Sequence, residues 1–186
     1  MGDTLVAVVL LLLFIVVPVV MISRVLHLIL MRHLRRKEVV REVEARGWTP
    51  VSGDSEEFRQ LRLLLEPTLF GTRRGTHHLS LAARGSTADG DGGEIPLWIA
   101  QYTWNGPRRV DSQMNRSGRY AMLVLPERCC EAERFEGPVF GLDEELLFCF
   151  EDALVLLCPG RLDSTFPARA AQRAVEIHQR YSNNDS

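Results

Sequence analysis

The chain has 186 residues, 46% of them hydrophobic and 25% charged, with a formal net charge of −2. The charge is unevenly placed: residues 24–46 hold seven positive and three negative side chains, residues 47–186 fifteen positive and twenty negative. An acidic globular part excludes nucleic-acid binding, which needs a basic face.

In chain order, the first feature is the apolar run Leu5–Ile22, eighteen residues without a charge or a strong polar group. A helix of about 20 apolar residues spans a bilayer's hydrocarbon core, because it satisfies its own backbone where lipid cannot. A cleaved signal peptide would carry a basic leader, a shorter apolar stretch and a small-residue cleavage site. Here Asp3 is the only charge before the run, and Val19-Val-Met-Ile-Ser23 is no such site. Residues 1–23 are therefore predicted to be an outside tail and a retained transmembrane helix. Pro18 within it removes one backbone donor.

Residues 24–47 read as a basic juxtamembrane helix. Arg24, Arg32, Arg35, Arg36, Lys37, Arg41 and Arg46 follow the apolar run and no Lys or Arg precedes it. The positive-inside bias then puts the N-terminus outside and the rest in the cytoplasm. Arg32, Arg35, Arg36 and Lys37 are the predicted membrane-surface contacts, drawn to anionic lipid. Leu26, Ile29, Leu30 and Leu34 form an apolar side, and Glu38–Arg41 and Glu42–Arg46 have helical pair spacings. Gly47 is placed to end the helix in a left-handed conformation. Of the 22 basic residues only Lys37 is a lysine, the signature of GC-rich codons and a bacterial genome.

Residues 48–182 are predicted to be one α+β domain, about 135 residues being enough for a real core. Trp48 and Val51 open a short extended piece. Asp54 with Glu57 reads as a capping box before Phe58, Leu61, Leu64 and Leu65, and Pro67 stops that helix. Strands follow at Thr68–Arg73, His77–Arg84, Ile95–Trp104 and Arg119–Leu125, with residues 85–93 as a flexible loop and Asn105-Gly-Pro107 as a turn. Arg128–Glu136 is polar and reads as a helical turn. Glu145–Phe150 and Ala153–Cys158 have the lengths of a hairpin. Ser164 or Thr165 caps a last helix with Pro167 in its first turn and Ala170, Ala171, Ala174, Ile177 and Tyr181 as its stripe. Residues 183–186 are a disordered tail.

This order implies an antiparallel sheet, open or closed into a half-open barrel, packed by helices and ended by a C-terminal helix. The closing hairpin and helix are similar, in fold alone, to pleckstrin-homology-like domains. Four stretches carry a wider resemblance: Ala45-Arg-Gly-Trp48 after the basic helix, Gly71-x-x-x-Gly75, Trp98-Ile-Ala-Gln-Tyr102, and Ala153-Leu-Val-Leu-Leu-Cys-Pro-Gly-Arg161. Together they resemble a group of uncharacterised membrane-anchored actinobacterial proteins with a cytoplasmic α+β domain. The resemblance implies that architecture and carries over no functional residues. The acidic glycine loop at 85–93 departs from it.

No catalytic, cofactor or metal site is predicted. Cys129, Cys130, Cys149 and Cys158 lack metal spacing, and Cys149 and Cys158 lie in apolar strands as small hydrophobes. His77 and His78 point to opposite strand faces and do not chelate one ion together. Asp89–Glu94 lacks the ligand positions of an EF-hand loop, and Gly71–Gly75 lacks the Gly-Lys-Ser/Thr of a phosphate loop. Ser112, Ser117 and Ser164 lack a nucleophile elbow; Asp143, Glu144 and Glu145 read as a solvated loop. Trp98, Tyr102 and Trp104 share a strand face that is either core or a binding platform, core being favoured. The expected function is that of a single-pass membrane protein whose non-enzymatic cytoplasmic domain binds a partner protein, with the bilayer as its other partner. The alternatives are a membrane-bound enzyme with an unrecognised site and an exported domain, which a Cys149–Cys158 disulfide would mark.

Overall fold

The computed structural model describes residues 2–66, 75–90, 92–105, 117–126, 139–140, 145–150 and 152–182, with side chains for 14–66, 75–90, 92–105, 118–126, 145–150 and 152–180. The chain divides into two compact units, Met1–Glu38 and Val39–Ser186. Pro67, the strand expected at Thr68–Arg73, most of the Asn105–Pro107 turn, the Arg128–Glu136 turn, Cys129, Cys130, Asp143 and Glu144 lie outside the described residues.

Helix α1 runs Gly2–Ala45 with Pro18 inside it. All of the first unit's described residues belong to this helix. Its last turns belong to the second unit, because Val39 and Val43 are buried in that unit's core at 2% exposure. Gly47 ends the helix as expected: at φ 73 it turns the chain so that the Trp48 N–H donates to the Val43 carbonyl at 3.0 Å. Arg46 also reaches Glu42 at 3.1 Å, the predicted pair.

The second unit is α+β. Strands β1 (Thr49–Val51), β2 (Thr76–Ala88), β3 (Glu94–Asn105), β4 (Ser117–Leu125), β5 (Val139–Phe140), β6 (Leu146–Phe150) and β7 (Ala153–Pro159) form one antiparallel sheet. Their order is β1-β2-β3-β4-β7-β6-β5. Among the described residues the sheet is open, with β1 and β5 at its two edges. Two meanders, β1 to β4 and β5 to β7, meet where β7 pairs with β4. The predicted β6–β7 hairpin is present, with Phe150 opposite Ala153.

Both sheet faces are covered, and period-two alternation sorts the strand residues between them. Ile95, Leu97 and Ile99 of β3 and Leu123 and Leu125 of β4 face one core, which takes Phe166, Ala170, Ala174 and Ile177 from helix α3 (Phe166–Ser182). Trp98, Ala100 and Tyr102 of β3 and Met122 and Val124 of β4 face the other, under Phe58, Leu61 and Leu65 of helix α2 (Glu56–Leu65). The aromatic strand face is thus core: Trp98 and Tyr102 are buried, Trp104 is half-buried, and Arg84 lies 5.3 Å from the Trp98 ring centre.

Three expectations are corrected. The first four residues of the loop expected at 85–93 are strand, since β2 continues to Ala88, and the turn is confined to the segment between Asp89 and Gly93. Gly85 is what misleads: it reads as a loop residue, but a side chain there would run into the Trp48 ring. The indole lies on the bare backbone, and its Nε1–H donates to the Ser86 carbonyl at 2.8 Å. The cap of α2 is Ser55, whose Oγ accepts from the Phe58 N–H, in place of Asp54. The start of α3 is held by Asp163, whose Oδ1 accepts from the Thr165 and Phe166 N–H groups at 3.0 Å, in place of Ser164 or Thr165. All three candidate positions are short polar residues, and the neighbour that wins is set by where the chain enters the helix. In β2, a bulge between Ser80 and Ala82 puts Leu81 at φ 50.

Candidate membrane-facing site

From Phe14 to Met31 the side chains of α1 are exposed on every side of the helix, from 80% at Phe14 to 37% at Met31. It is the one helix among the described residues long and apolar enough to cross a membrane. A helix apolar all round is not a surface helix of a soluble domain, which needs a polar face toward water. The predicted collar Arg32, Arg35, Arg36 and Lys37 follows directly, and all four side chains are exposed. At 1.5 Å per residue the collar occupies about 8 Å of helix axis, a band of charge beside an apolar rod.

The polar groups of the α+β unit do different work. Gln101 is a clamp: its Nε2 donates to the Tyr120 carbonyl at 2.8 Å and its Oε1 accepts from the Leu162 N–H at 2.7 Å, tying the entry of α3 to the sheet. Arg173 of α3 meets Glu145 at 2.6 Å and Glu176 at 2.7 Å. The hydrogen bond from Arg173 holds the Glu176 carboxyl below its usual range. His178 lies 3.4 Å from Asp89, joining the end of α3 to the β2–β3 turn. Sequence reading assigned Glu145 and Asp89 to solvated loops. Nothing in the sequence signals these ties, because each partner is remote along the chain.

Cys158 donates to Glu145 at 3.4 Å. Burial, helped by the Glu145 charge, pushes its thiol up to about 12. A thiol so held is protonated at neutral pH and is a poor nucleophile or metal ligand. Cys149 stands opposite Leu154, four residues along β6 from Glu145 beside Cys158. That spacing is about 13 Å in a strand, beyond the roughly 7 Å a disulfide tolerates. The two cysteines therefore do not bond to each other. His77 is half-buried with Nδ1 2.8 Å from the Tyr102 hydroxyl, whereas His78 is exposed, so they take opposite faces as expected. Among the described residues no group of three or more His, Cys, Asp or Glu is placed to hold a metal ion.

Comparison with protein-family models, with curated proteins and with solved structures gives no match.

Proposed function

We propose that this chain is a single-pass membrane protein, N-terminus outside, whose α+β domain lies in the cytoplasm and works by binding a partner protein. The observation that carries the reading is the fully exposed apolar stretch of α1 ending in the basic collar. Residues 14–31 exposed to water on all sides would be unfavourable by about 1 kcal/mol or more for each large apolar side chain. Hydrocarbon removes that penalty, and the collar gains about 1 kcal/mol per charge near anionic head groups. With six positive charges from Arg32 to Arg46 and no Lys or Arg before Arg24, orientation follows. A binding role rather than catalysis is supported by how the polar clusters are used: Gln101, Glu145 and Asp89 each fasten one element to another. The resemblance to actinobacterial single-pass proteins implies the same layout.

The test is a C-terminal fusion. A fluorescent protein fused there should glow and an alkaline phosphatase, active only outside the cytoplasm, should stay silent. Replacing Arg32, Arg35, Arg36 and Lys37 together by Gln should give a mixed population in both assays. Strong phosphatase activity of the unmodified chain would reverse the orientation and favour an exported domain.

A further inference from the structure

The apolar character of α1 does not end at Ile22. After Ser23 and Arg24 it resumes through Val25, Leu26, Leu28, Ile29, Leu30 and Met31 up to the collar. These side chains are exposed all round the helix. From Leu5 to Met31 the helix is about 40 Å long, against roughly 30 Å of hydrocarbon, a mismatch that tilting absorbs. With the collar at the head groups, Arg24 lies about 12 Å below Arg32 along the helix axis.

An arginine at that depth needs an acceptor. Its own helix offers none: the residues one turn away are Val20, Met21, His27 and Leu28. Arg24 makes no ion pair among the described residues, and its side chain is exposed. At 100° per residue, Ser23, Arg24 and His27 fall within an arc of about 100°. Ile22, Val25, Leu26 and Ile29 occupy the opposite side. A lone arginine reaching up to a lipid phosphate has no use for a serine and a histidine on its own side. Polar side chains gathered on one face are what a helix–helix contact in a membrane shows.

We propose that the Ser23–Arg24–His27 face docks a transmembrane helix of another protein that carries an aspartate or glutamate at the same depth. Charge decides against a second copy of this chain, since a parallel pair meeting through this face would set Arg24 against Arg24. The proposal rests on the membrane-spanning reading and names the kind of partner it implies.

The test uses the full chain in its native membranes with a diazirine amino acid at single positions. Val20 and Leu28 flank Arg24 on its face, and Ile22 and Leu26 lie opposite. Light should give one protein adduct from positions 20 and 28 and at least fivefold less from 22 and 26. Arg24→Leu should abolish the adduct and Arg24→Lys should keep it. Once the adduct partner is sequenced, reversing its intramembrane carboxylate to arginine should restore cross-linking to the Arg24→Glu chain. Equal labelling at the four positions, adducts with lipid alone, an adduct of twice the chain's mass, or an adduct indifferent to Arg24→Leu would each overturn the proposal. An alkaline carbonate wash of the unmodified chain checks the underlying reading separately: release from the membrane pellet would sink the span itself, whereas retention without a protein adduct sinks only the docking face.

Discussion

Ile29 and Ile99 are the same side chain in opposite circumstances, 57% exposed in α1 and fully buried in β3. Around Ile29 the neighbours Val25, Leu26, Leu28 and Leu30 are also apolar and also exposed. Around Ile99 the pattern alternates, and each face of the strand has its own helix above it. Apolar content is therefore not what separates the two regions. What separates them is whether the pattern leaves a direction in which polar groups can face water, and in α1 from Phe14 to Met31 it leaves none but Ser23, Arg24 and His27.

If the contrast is right, truncating a large apolar side chain to alanine should cost very different amounts in the two regions. Phe166→Ala opens a cavity in the core under α3 and should destabilise the α+β unit by about 3–5 kcal/mol. Ile29→Ala should move the same unit by less than about 0.5 kcal/mol. Denaturant unfolding of the purified chain in detergent, followed by far-ultraviolet circular dichroism and tryptophan emission, measures both. A comparable loss from Ile29→Ala would mean the exposed helix supports the domain after all.

The contrast also has an edge, and it falls inside α1. Val39 and Val43 belong to the domain although they continue the helix. A chain beginning at residue 39 should be soluble and melt cooperatively. One beginning at residue 47 should be less stable by roughly 3 kcal/mol, at about 1.5 kcal/mol or more for each buried valine. Equal melting of the two fragments would move the boundary back to the end of the helix.

The smallest effect expected is at Cys158. Its native thiol keeps the proton up to about pH 12, whereas the unfolded thiol loses it near pH 9. Between those values the native state binds more protons, so stability falls as pH rises through that window and is unaffected below it. Cys158→Ala should flatten this alkaline fall, read as the slope of unfolding free energy from pH 9 to 11. An unchanged slope would place the alkaline loss elsewhere.

Much of this was legible in the chain. The long run and its collar follow from composition alone, and β3, β4, β6 and β7 follow from apolar period-two segments bounded by turn residues. Gly85 hid the last four residues of β2 because glycine reports a need for space or for a turn, and only the position of Trp48 tells which. The two-residue β5 is too short to leave a pattern. The fastenings at Gln101, Glu145 and Asp89 were invisible for a different reason: a polar residue looks the same in sequence whether it faces water or a partner 61, 28 or 89 residues away. Arg24 was counted among the orienting charges, and its isolation below the collar emerged only with the exposure of Val25–Met31 around it.

The seat of Trp48 on Gly85 gives the molecule a built-in optical gauge. An indole pressed on bare backbone, with its N–H committed to the Ser86 carbonyl, emits at shorter wavelength than one in water. With Trp98 and Trp104 replaced by phenylalanine, the remaining colour of emission would report a single event, the joining of the helix end to the sheet. The seating of the last turn of α1 on the sheet, inside the second unit, can therefore be watched without adding a label.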